Sequence, residues 1–120
     1  DAAQQQGRQP VVVTITVAGG EIYATPDPAH VARGQRIEWV CEAGAFNVEF
    51  ETEEPFGPQA QRGRGIQGQR GRRNGMIPRA QARLMSYKYD ITVTLPDGTV
   101  IVKDPEVVIG PGPGEEQAPR

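Results

Sequence analysis

"RIEWVCEAGAFNVEF", residues 36–50, sets the terms for reading this chain. Ile37, Trp39 and Cys41 alternate with Glu38 and Glu42, and Phe46, Val48 and Phe50 then alternate with Asn47, Glu49 and Glu51. A period of two over each run is the signature of a strand with one buried face, because successive side chains leave a strand on opposite sides. The same reading extends outward in both directions. "VVVTITVAGG" (11–20) is β-branched and stops at two glycines, and Ile22–Ala24 forms a short extended piece that "TPDP" (25–28) breaks. Downstream, "YKYDITVTL" (87–95) puts Tyr87, Tyr89, Ile91, Val93 and Leu95 on one face. "PDG" (96–98) then predicts a turn, "TVIVK" (99–103) a return strand, "DP" (104–105) a kink and "EVVIG" (106–110) a closing strand.

Composition agrees with this reading. The chain has 120 residues, enough for one two-layer core and not for a second. Only 37% of its residues are hydrophobic, and 15 glycines with 11 prolines favour an all-β chain over a helical bundle. No apolar run is long enough to span a bilayer. The chain starts at Asp1, and "DAAQQQ" has the character of residues left behind by signal peptidase, which predicts a secreted or cell-surface protein, with the periplasm as a further location. Cys41 is the only cysteine, so no intramolecular disulfide can form; a buried thiol and an intermolecular disulfide both stay open.

Charge is segregated. "GPQAQRGRGIQGQRGRRNGMIPRAQAR" (57–83) holds seven arginines, six glycines and no acid; the remainder holds six bases and fifteen acids, so a +7 segment sits on a −9 body. It is expected to be a long Gly/Arg/Gln-rich insertion loop, with one or two helical turns over "PRAQARLMS" (78–86). The domain plan is then a polar tail (1–9), a sandwich (10–110) carrying the insertion (57–83), and a Pro/Gly-rich tail (111–120).

Pro26, Val31, Gly34, Ile37 and Trp39, followed by Asn47-Val48 and later by Tyr87-x-Tyr89, resemble the cupredoxin-like fold. That family shows P-x4-V-x2-G-x2-I-x-W, then HNVxF, then YxYxC with a His and a Met beyond. The resemblance covers roughly residues 11–56 and 84–109. It implies a Greek-key β-sandwich, and it implies that Phe46 stands where the first copper-binding His would be and Ile91 where the Cys would be. A blue-copper centre needs two imidazoles and a thiolate. "TVTLPDGTVIV" (92–102) supplies neither His nor Met, so the expectation is a sandwich without copper or any other cofactor.

The remaining chemistry-bearing residues do not assemble into a site on paper. His30 is the lone histidine and is read as a surface side chain. "ETEE" (51–54) lacks the oxygen spacing of a calcium loop, and "GRGIQG" (63–68) lacks the lysine and following helix of a phosphate loop. The expectation is a protein that is not an enzyme. Three readings of the arginine segment compete: a polar insertion without a partner, a nucleic-acid contact that lacks aromatic stacking residues, and self-association through charge complementarity. The third is taken forward as a filament-like homopolymer subunit. Its working surfaces would be Arg62, Arg64, Arg70, Arg72 and Arg73 against Glu49, Glu51, Glu53 and Glu54, together with the two termini. A strand containing Val11, Val13 and Ile15, lent to a neighbour, is a second route. The alternative function is a monomeric secreted module that holds an anionic polysaccharide or nucleic acid on the arginine segment.

Overall fold

The computed structural model describes residues 9–52, 55–61 and 63–112. Its strands in chain order are β1 (Val11–Ala18), β2 (Glu21–Thr25), β3 (Ala29–Ala32), β4 (Ile37–Cys41), β5 (Ala45–Phe50), β6 (Ile66–Gly68), β7 (Asn74–Met76), β8 (Ser86–Thr94), β9 (Val100–Lys103) and β10 (Glu106–Gly110). They form two sheets, ordered β2-β1-β4-β7 and β3-β10-β8-β5-β6, with β9 paired to the far half of β8 beyond β10. The chain passes between the sheets at β2–β3, β3–β4, β4–β5, β6–β7 and β7–β8, which gives the all-β Greek-key sandwich the sequence predicts. Two parallel pairings, β1 with β4 and β3 with β10, join segments far apart in the chain.

The inward positions are those of the period-two runs. Trp39, Ile37 and Cys41 from β4 face Phe46, Val48 and Phe50 from β5 and Tyr89, Ile91 and Val93 from β8, all buried. Four rings share the centre: Trp39 meets Tyr89 and Phe56 edge-on, with centroids 5.7 and 6.3 Å apart, and Phe50 stacks on Tyr89 at 5.0 Å. A buried indole N–H needs an acceptor, and Trp39 Nε1 donates to the Tyr89 hydroxyl at 3.1 Å. Among the described residues no charged side chain is buried.

Residues 57–83 depart from the expected insertion loop. Pro58–Ala60 makes one 3₁₀ turn, β6 then adds to the edge of the second sheet beside β5, and β7 adds to the edge of the first beside β4. Ala60, Ile66 and Ala82 are buried, and Met76 packs on the core. Few apolar residues are needed to seat such a segment, because each three-residue strand takes its hydrogen bonds from an existing sheet edge. Gly75 permits the closest approach: a Cβ there would collide with the Ile37 carbonyl and with Cα of Glu38. Gly68 likewise leaves room for the Phe46 ring. The helical turns expected over 78–86 are also absent. One tight turn closes instead, with Ala82 N donating to Arg79 O at 3.0 Å, and the Arg33 guanidinium takes the Ala82 carbonyl at 2.8 Å. β3, within "PAHVAR", was not anticipated.

Candidate functional site

The position that would decide redox chemistry sits at the β5–β8 ladder, where Phe46 pairs with Val93 and Val48 with Ile91. Phe46 is 3% exposed and Ile91 fully buried, so both present hydrocarbon to the core where a metal would need nitrogen and sulfur. His30 points to solvent from β3 in the second sheet, while Cys41 is buried in β4 of the first. Among the described residues no group of three His, Cys, Asp or Glu side chains could hold a metal ion. The residues present do not fit copper.

What the fold does bring together is charge. On the outer face of the second sheet, Glu49 of β5 lies directly opposite Asp90 of β8, and Glu106 of β10 opposite Lys88. Glu49, Glu51, Asp90 and Asp104 line one shallow cleft of about 190 Å³ around Lys88. Lys88 Nζ approaches Asp104 at 3.7 Å. Like charges opposed across a ladder repel, so this face favours any cation brought to it.

The arginines lie along the β6–β7 segment, which wraps the adjoining edge of the sandwich as a strap. Arg64, Arg70, Arg72 and Arg73 are all exposed. Two turns hold them: Arg64 N donates to Gln61 O at 2.9 Å and Arg72 N to Gln69 O at 3.0 Å. The second turn is fastened to β4, with Gly71 N on Cys41 O at 2.8 Å and Arg70 Nε on Glu42 O at 2.8 Å. Arg73 reaches Glu38 at 3.7 Å, and Arg36 Nε takes the other oxygen of that carboxylate at 2.8 Å. Part of the complementarity expected between copies is therefore used inside one chain, including Gly63 N on Glu49 Oε2 at 3.3 Å. The exposed Arg73 pair contributes little to stability.

Of the residues named from sequence, Glu49 and Glu51 fall in the acidic cleft, and Arg64, Arg70, Arg72 and Arg73 fall on the strap. Arg62, Glu53 and Glu54, with the tails 1–8 and 113–120, lie outside the described residues. Val13 and Ile15 are buried and Val11 is partly so; β1 is paired on both sides, with β2 and β4. Lending it to a neighbour would open both ladders. Asp90 and Asp104, which complete the cleft, were missed, because only the β5–β8 register and the bend after β9 bring them beside Glu49.

No family model and no curated protein matches the chain. Eleven solved chains do. Among them are an oxidised methionine-to-lysine variant of amicyanin, 17% identical over 82% of this chain and 81% of that one with a TM-score of 0.44, and a methionine-to-alanine variant in its Cu(I) form, 16% identical over 82% and 81% with a TM-score of 0.45. An oxidised methionine-to-leucine variant is 19% identical over 81% and 80%, also at 0.45. The likeness concerns the fold alone, and no residue role is carried across from it.

Proposed function

We propose that this chain is a non-enzymatic structural subunit that associates head to tail with copies of itself, the arginine strap of one copy lying on the acidic cleft of the next. One observation carries the reading: Glu49, Glu51, Asp90 and Asp104 line one cleft, while Arg64, Arg70, Arg72 and Arg73 are exposed on a pinned strap along the adjoining edge. Fixing the arginines by turns and short strands lowers the ordering entropy that a free loop would lose on binding. The two surfaces differ, so the contact is heterologous and propagates unless its rotation happens to close a ring.

Light scattering and sedimentation velocity at low and high salt test this. Species larger than the monomer at low salt, dissolving as screening rises, are expected. A monomer under both conditions overturns the reading and leaves the strap to an anionic polysaccharide or nucleic acid, which a heparin column and a single-stranded oligonucleotide would then distinguish.

A further inference from the structure

At each lateral border of the sandwich the edge strands of the two sheets come close without pairing. At one, β6 and β7 close the gap between the sheets, with Asn74 Nδ2 donating to the Gln67 carbonyl. At the other, β9 pairs only with β8 among the described residues and runs beside β2 without joining it. Leu95 N donates to Thr99 O at 2.8 Å, which makes 95 and 99 a hydrogen-bonded pair. Alternation along an antiparallel ladder makes Val93 and Ile101 the next such pair. Val100 and Val102, opposite Thr94 and Thr92, are therefore in the intervening non-bonded pairs, and their N–H and C=O groups point away from β8. Their side chains are 58% and 60% exposed, more than any other large hydrophobic group described. An edge of this kind is a template for another strand.

We infer that β9 is a strand-addition edge whose occupant is β9 of a second copy, antiparallel about a two-fold axis through Ile101. The sequence is self-complementary in that register alone. Val100 of each copy faces Val102 of the other, so the outward groups of both valines are paired and the four side chains make one apolar stripe. Lys103 falls opposite Thr99 of the second copy and diagonal to its Asp97, an opposite charge at a favourable step. The Asp97 carboxylate is held by Thr99 N at 2.9 Å and kept ionised below the usual carboxylate range by that bond, so it stands ready on the turn. The two-fold axis makes this pairing twice. A slip of two residues either way sets Val100 or Val102 against its own copy and leaves the other valine beyond the partner strand. The turn at Asp97–Gly98 and the missing N–H of Pro105 limit the addition to one short strand per copy.

This contact does not depend on the strap or the acidic cleft, and high salt separates the two. Sedimentation equilibrium over a protein concentration series, in salt that screens the charge contact, is expected to show a monomer–dimer equilibrium. Val102→Pro removes an N–H that faces away from β8, so the fold is expected to survive while dimerisation weakens about tenfold or more. Val102→Lys, which keeps the N–H and places a charge in the stripe, is expected to weaken it similarly, and it decides the matter if the proline variant melts early. A wild-type chain that stays monomeric throughout the high-salt series overturns the proposal. So does a folded Val102→Lys chain that dimerises as well as the wild type.

Discussion

Tyr89 shows how a single group ties this core to pH. Its phenol is buried between Trp39 and Phe50, and that burial drives its pKa well above the ordinary tyrosine value, against a smaller lowering by the Trp39 hydrogen bond. The folded chain thus retains a proton that the unfolded chain loses near pH 10, so the native state is favoured fully below about pH 10 and progressively less above it. Alkaline titration should unfold the protein, with the Tyr89 share of phenolate absorbance, taken as wild type minus Tyr89→Phe, rising only as near-UV dichroism is lost. A Tyr89 signal that titrates in the folded state near pH 10 would contradict the buried geometry. Trp39→Phe removes the indole donor and leaves a gap beside the hydroxyl, which should lower stability by about 1–3 kcal/mol in urea unfolding. The alternation of Trp39 and Tyr89 on their strands was legible in the sequence. Their mutual bond was not, because it needs the two sheets brought face to face.

Strands were readable in proportion to their length and alternation. β1, β4, β5 and β8 each run five residues or more with inward apolar positions, and the period of two placed them. β6 and β7 have three residues each, with Gly68 and Gly75 among them, so they carry no period; Ile66 and Met76 are the large apolar side chains by which these two strands touch the core. The consequence is testable. Deleting residues 57–83 should not leave a folded body with a missing loop; it should expose the β4 and β5 edges and abolish cooperative unfolding. At finer grain, Gly75→Ala should push β7 off β4 and destabilise the chain by about 1–3 kcal/mol, with amide exchange accelerated in β7 and at its partners Ile37 and Trp39. Unchanged protection there would mean the strap is not seated through Gly75.

At the scale of the molecule, the sandwich presents acid on one face and base along one border. Segregation of charge along the chain was visible in the sequence, as were Glu49 and Glu51. The cleft was not, since Asp90 and Asp104 lie 41 and 55 residues beyond Glu49 in the chain. Nor did the sequence show that Glu38 would occupy Arg36 and Arg73 within the same chain. Incubation with Cu(II) should give no blue absorption band, because Phe46 and Ile91 put apolar groups at the positions where the resemblance expects ligands. The most direct test of assembly uses two charge-reversed chains, Arg70→Glu with Arg72→Glu, and Glu49→Lys with Asp90→Lys, examined by sedimentation velocity at low salt. Each alone should stop at small species, since it retains only one competent surface, and a mixture of the two should form hetero-pairs that dissolve in high salt. Large species persisting in either reversed chain, or no association on mixing, would contradict head-to-tail contact between strap and cleft.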